Sequence, residues 1–200
     1  MKQQDSRQII STLERAGAGI SASKRLMAKH LMFPLLNHLV SWDNAWKIYE
    51  KEGRKVLSLA AALDKESLFK RVLVSRLFGL EDNSRYYSVA MVIEHLLIVG
   101  KALTERIPPL SQGEVLKEDV KIEDVKPYTQ IDETVIEAFK IFLDTYREEM
   151  ESRIGDIEID NTSPHPWFGE FNPKEWSILG MVHQIVHRRQ VEAIIERLRR

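Results

Sequence analysis

The chain contains no cysteine in 200 residues, which excludes a disulfide framework, thiolate metal ligands and a cysteine nucleophile. It has no apolar run of membrane-spanning length; the richest stretch, Tyr86 to Gly100, is broken by Ser88, Glu94 and His95. No apolar core follows the N-terminal MKQQDSRQ, so secretion is not expected. Neither charge is in excess: 29 Lys and Arg stand against 30 Asp and Glu, for a net charge of −1. That balance argues against a dedicated nucleic-acid binder, whose footprint is basic. There is almost no strand patterning, no internal repeat and no low-complexity tract. A soluble cytoplasmic protein, with one domain long enough to bury a core, is the expectation.

What the chain does have is a strongly marked final helix. Asn172-Pro173-Lys174-Glu175 reads as an N-cap, a proline in the first helical position and an N3 glutamate able to reach back to the cap. Phe171 and Trp176 flank this box as a hydrophobic staple. On a wheel of about 100° per residue, Gly180, His183, His187, Gln190, Val191, Ile194 and Leu198 fall within roughly 60° of Trp176. Lys174, Arg188, Arg189 and Glu192 fall on the opposite face. His183 and His187 therefore point inward, one turn apart, where two ring nitrogens can meet one metal ion. The alternative is a pair of core-edge histidines hydrogen-bonded to backbone or to Gln190.

Upstream, residues 1–20 are polar, with Gly17 and Gly19 breaking any helix, and read as a flexible arm ahead of a single domain over 21–200. Helical spacing runs from Ala22 to about Leu63, with a kink or boundary at Pro34, and continues from Lys65 to Phe78. His30 and His38 in the first of these stretches read as structural or exposed. Gly79 to Asn83 reads as a turn. A second strong helix is expected from Ser84 or Arg85 to about Ile107, ended by Pro108-Pro109. His95 lies about 60° from its apolar stripe and away from its polar face. A long polar connection from Pro109 to Gln130 can cross a bundle. A third helix follows from an Asp132 cap to about Ile154, with Val135, Phe139, Phe142, Leu143, Tyr146 and Met150 inward. The fold class is all-α: a four-helix bundle with a long crossover between the second and third core helices and an extra N-terminal helical segment.

Three inward histidines on two helices would form a site with an open position for water or substrate, the arrangement of a catalytic metal. No histidine has Glu three residues before it, which excludes the di-iron carboxylate pattern, and His183 is followed by Gln184, which excludes H-E-x-x-H. Glu94 beside His95 reads as a surface residue, because adjacent side chains on a helix diverge by about 100°. Gln190, three residues after His187, is placed to orient that imidazole or to bond another helix. His165, in the loop before the final helix, either lines the site mouth or packs against Trp167 and Phe168.

HPWFGEFNPKEW followed by HQIVHRRQ, with SVAMVIEHLL upstream, resembles the DinB-like (DinB/YfiT-like) superfamily of metal-binding four-helix bundles. In that family an S-x6-H-L element supplies one histidine, and a helix entered through an HPxFG-type loop supplies two more, followed closely by Gln. Ser88 and His95-Leu96 match the first element; His165, Pro166, Phe168, Gly169, Trp176, His183, His187 and Gln190 match the second. The resemblance spans roughly Gly79 to Leu198. It implies one divalent ion, commonly zinc, nickel or iron, on His95, His183 and His187. Some members act as thiol-dependent transferases or isomerases, others are named as hydrolases by inference only, and many have no assigned activity. The expected partner is a small-molecule substrate, with a low-molecular-weight thiol as a candidate cosubstrate; no nucleic acid and no membrane are expected, and homodimerisation stays open. With no cysteine in the chain, any reacting thiol comes from a cosubstrate. The competing class is a non-catalytic stress-response bundle acting by binding or dimerisation. An open site in a polar-edged pocket marks the first, and an exposed apolar patch marks the second.

Overall fold

The structure, a computed structural model, describes residues 2–116, 121–128 and 130–200, with side chains from residue 6 onward. In chain order its helices are α1 (Lys2–Ser11), α2 (Ala22–Met27), α3 (Phe33–Leu39), α4 (Trp42–Ala61), α5 (Lys65–Phe69), α6 (Val89–Ser111), α7 (Thr134–Glu151) and α8 (Pro173–Leu198). A π-helical stretch, Ala28–Met32, joins α2 to α3. Two small antiparallel hairpins complete the set: β1 (Val72–Leu73) with β2 (Tyr86–Tyr87), and β3 (Ser163–His165) with β4 (Gly169–Phe171).

The core helices α4, α6 and α8 begin on side-chain caps. Ser41, Ser88 and Asn172 each accept the backbone N–H three residues on, from Asn44, Met91 and Glu175, each cap being worth about 1 kcal/mol. The box at Asn172 is reciprocal, with Glu175 accepting the Asn172 N–H at 3.0 Å, and the Phe171 and Trp176 rings meet edge-on at 5.8 Å. Asp132 accepts the Thr134 N–H at 2.8 Å, but the N-cap of α7 is Glu133, so the helix starts one residue later than an Asp132 cap implies.

Cross-helix contacts fix the direction of each member. Arg188 bonds Glu52, and Gly180 lies beside Tyr49, so α8 runs parallel to α4. His95 meets His187 while Leu103 meets Gly180, so α6 runs antiparallel to α8. Arg147 pairs with Asp43 and Arg54 with Asp144, which makes α7 antiparallel to α4. The C-terminal ends of α6 and α7 lie together, where Ser111 accepts the N–H of Asp156 and of Gly155. Because α6 and α7 are parallel, the chain between them must travel the length of the bundle, as the long polar connection implies. Residues 117–120 and 129 of that connection lie outside the described residues. The helices meet over an aromatic core of Trp46, Tyr49, Phe139, Phe142 and Tyr146.

Several sequence expectations are corrected. The stretch Lys65 to Phe78 is helical only to Phe69; Val72–Leu73 then pairs as a strand, closed by Arg71 and Arg85 side chains donating to the carbonyls of Tyr86 and Val74. A short apolar run does not distinguish strand from buried helix by period. Helix α6 starts at Val89 and continues through Pro108 and Pro109 to Ser111. The Thr104 carbonyl, which Pro108 cannot serve, accepts Arg153 at 2.8 Å instead. The first twenty residues include helix α1, and this segment is bonded to the body. Ser6 meets the Tyr86 hydroxyl, the Glu14 N–H donates to Asp82, and Asn83 donates to the Glu14 carbonyl.

Gly100 marks where α6 presses hardest on its neighbours: a Cβ there would stand 2.5 Å from Phe142 Cε1 and 2.7 Å from the Tyr49 hydroxyl. Helix propensity favours Gly→Ala by about 1 kcal/mol, but overpacking a rigid aromatic wall costs about 1–3 kcal/mol. Gly100→Ala is therefore expected to lower stability in urea unfolding, and a rise would show that the core yields there.

Candidate metal centre

Ser88 caps α6 two turns before His95, and the Asn172 box sets α8 so that His183 and His187 face α6. One nitrogen from each of these three histidines lies within 4.8 Å of the others. His95 and His187 are buried, 6% and 5% exposed, whereas His183 is half-buried and lines a cavity. The ring centroids are 4.4–4.9 Å apart. The sequence-derived trio is thus brought together, and His187 also makes the Gln190 bond that the core-edge reading named.

The hydrogen bonds assign the tautomers. His95 Nδ1 lies 2.6 Å from the Val125 carbonyl oxygen and must donate to it. The Gln190 amide donates through Nε2 to the Ser84 carbonyl at 2.7 Å, which leaves its oxygen to accept from His187 Nδ1, also at 2.7 Å. Both rings are therefore protonated on Nδ1 when neutral, and both Nε2 atoms are acceptors. His95 Nε2 and His183 Nε2 are 3.0 Å apart. An acceptor so placed takes either the proton of His183 or a cation that the two share. This donor set, imidazole nitrogens within 4.8 Å of one another with two of the rings backed by Nδ1–H bonds, suits a divalent ion.

Electrostatics keep the rings neutral. Burial, only partly offset by the Val125 carbonyl, pushes His95 down to about 4. Burial and the charges of the other imidazoles hold His183 and His187 well below the ordinary range. His165 is also pushed down to about 4, by burial and then by the Arg106 charge. Neutral imidazoles need lose no proton to take a metal at neutral pH.

His165 is not among the converging nitrogens. Its ring stacks on Phe168 at 4.8 Å and its Nδ1 accepts the Trp167 N–H, which places its proton on Nε2. It packs against Trp167 and Phe168 and also lines the cavity. Gln190, fully buried, orients His187 and also reaches across to Ser84. Glu94 is half-buried rather than a free surface residue; burial raises its carboxyl, and it accepts the Tyr128 N–H at 2.7 Å. His30 and His38 are exposed and are not among the converging nitrogens.

Glu81, Ser84 and Lys126 were not expected at the site. Lys126, on the crossover, forms an ion pair with Glu81 and donates to the Ser84 hydroxyl at 3.0 Å. Both charged residues line the cavity, and Glu81 is 5% exposed. A buried acid inside a turn-like stretch and a lysine in an aperiodic connection carry no pattern to find.

A pH dependence follows. An unfolded histidine titrates near 6.5, so between about 6.5 and 4 the unfolded chain binds more protons than the folded one. The contribution is fully present above about pH 7 and is lost as pH falls through that window, by about 1.4 kcal/mol per pH unit for each buried neutral ring. In chelator-treated protein the urea midpoint is expected to fall steeply from pH 6.5 to 4.5, and less steeply in His165→Phe. A flat profile would contradict the buried neutral cluster.

Comparison with known proteins agrees with this architecture. The crystal structure of TT2238, a four-helix bundle protein, aligns with a TM-score of 0.52 at 23% identity, covering 76% of this chain and 99% of that one. At that identity the likeness shows the fold alone. No curated protein matches the chain. The sequence model of the DinB family matches residues 36–198, a stretch that carries all three converging histidines, and the chain belongs to the DinB family.

Proposed function

We propose that the protein holds one divalent metal ion, zinc, nickel or iron, on His95, His183 and His187, and that it is a cytoplasmic metal-dependent enzyme acting on a small molecule. The observation that carries this reading is the convergence of one ring nitrogen from each of three imidazoles, within 4.8 Å of one another, on a cavity that all three line. A divalent ion bound there supplies Lewis acidity to a substrate, and lowers the pKa of a thiol or water beside it. The chain's own groups do the rest. Val125 and Gln190 hold two imidazoles in the metal-facing tautomer, the His165 Nε2–H offers a donor in the cavity wall, and apolar side chains restrict water. The reaction class is thiol transfer from a low-molecular-weight cosubstrate or hydrolysis. The absence of cysteine means the thiol, where one is used, arrives with the cosubstrate. A near-neutral charge, and no described helix long and apolar enough to cross a membrane, support a small molecule over nucleic acid or lipid as partner.

One observation favours a second reading, association through a surface. Met27, Leu31, Leu35 and Leu39 recur every four residues from α2 through the π-helical stretch to α3, all exposed, with Leu39 67% exposed. Homodimerisation through this row is compatible with the enzyme reading and would not replace it.

Elemental analysis of protein purified without a nickel column tests the metal. About one ion per chain is expected, lost in His183→Ala; folded protein that refuses zinc, nickel and iron would leave only the binding reading. Gln190→Leu, which removes the His187 orienting bond, is expected to weaken metal binding about 10–100-fold in chelator competition. Unchanged affinity would show that the Gln190 bond is structural only.

A further inference from the structure

The stretch that matches the DinB family begins at residue 36, yet part of the wall over the histidines comes from before it. Ile20, Ala28, Met32 and Phe33 all line the cavity. They belong to one segment, 17–33, fastened at both ends. At the first end the N–H groups of Gly17 and Gly19 donate to Glu81 Oε1 at 2.7 and 3.4 Å. Both glycines have positive φ, 79° and 85°, the backbone shape that L side chains rarely adopt. A Cβ on Gly19 would also stand 3.2 Å from Trp167 Nε1. At the second end Phe33, 2% exposed, meets the rings of Phe168 and Phe171 at 4.9 and 5.0 Å. Glu81 also takes the Lys126 ammonium, so one carboxylate secures this roof and the crossover together.

Beneath the roof the cavity follows α8 from Trp176 to His187, about 16 Å of helix. Val99, Leu103, Leu179 and Val182 form much of the wall facing the roof. Glu81 and Lys126 neutralise each other, and Arg106 is engaged with the Ser163 hydroxyl and the Trp176 ring. The cavity, partly open to solvent, has a volume of about 180 Å³. An apolar cavity of about 150 Å³ accommodates benzene, so the space fits a single six-carbon ring or a short alkyl chain.

We propose that segment 17–33 is the specificity element of the site. It shapes a pocket for a compact apolar group, phenyl-sized, carried by a polar head that reaches the metal. The proposal rests on the three-histidine metal reading. It goes beyond that reading in naming the substrate's apolar part and the residues that select it.

Two hydroxamates test it, because they share a metal-binding head and differ in the apolar group. In zinc-loaded protein, calorimetric titration is expected to show benzohydroxamate binding at least about 30-fold tighter than acetohydroxamate. Ala28→Leu, which fills the roof, is expected to reduce that ratio to about threefold, the loss falling mainly on benzohydroxamate. Met32→Ala, which enlarges the pocket, is expected to shift preference toward 2-naphthohydroxamate. Equal affinity for the two small hydroxamates, or a ratio unmoved by both substitutions, would overturn the proposal. If the protein takes no zinc, the metal reading fails by itself, and the pocket is read on metal-free protein by saturation-transfer NMR with toluene. Saturable binding that Ala28→Leu abolishes would keep the apolar pocket, and its absence would remove it.

Discussion

Three imidazoles, two buried and one half-buried, bring a nitrogen each to within 4.8 Å of the others, and among the described residues no carboxylate joins the group. Burial forbids the rings from carrying charge, since a desolvated imidazolium is costly without an anion beside it. Neutral rings then need their Nδ1 protons accepted, and the fold supplies the acceptors from different parts of the chain. His95 takes its acceptor from the crossover at Val125, and His187 takes its own from Gln190, which in turn is held by Ser84. The site thus ties together α6, α8, the crossover and the segment before β2. Parallel α6 and α7 force the crossover to return along the bundle, and that return brings Val125 and Lys126 to the histidines.

Much of this was legible in the sequence because helical signals are local. The Asn172 box, the Phe171–Trp176 staple and the spacing of His183, His187 and Gln190 depend on neighbours within two turns, and all stand as read. His95 could be oriented from the apolar stripe of α6 alone. The failures share a cause, which is that tertiary contacts decided them. Pro108 ends a helix by local rules, but Arg153 satisfies the carbonyl it orphans and the helix continues. Val72 and Leu73 became a strand because Tyr86 and Tyr87 lie opposite. The N-terminal segment looks unsupported until Glu81, Asp82 and Phe168 are placed against it. Lys126 and Glu81 have no periodic or motif signature, so only three dimensions join them.

The polar and apolar parts of the centre divide the work. A buried ion pair such as Glu81 with Lys126 adds little net stability, because desolvating both charges offsets much of their attraction. Its value lies in position: it holds the crossover and the N-terminal roof over the same cavity. The apolar lining lowers the local dielectric and strengthens any charge placed at the histidines. Orientation of the rings, enclosure by the roof and neutrality of the ligands are therefore one arrangement seen from three sides.

Anomalous diffraction from crystals grown with zinc, with data on both sides of the zinc edge, tests the central claim most directly. The account expects one peak among the Nε2 atoms of His95, His183 and His187, with both Nδ1–H bonds retained and a non-protein ligand on the cavity side. A zinc-replete crystal with no peak there, or with the metal on Nδ1 atoms or on His165, would contradict it.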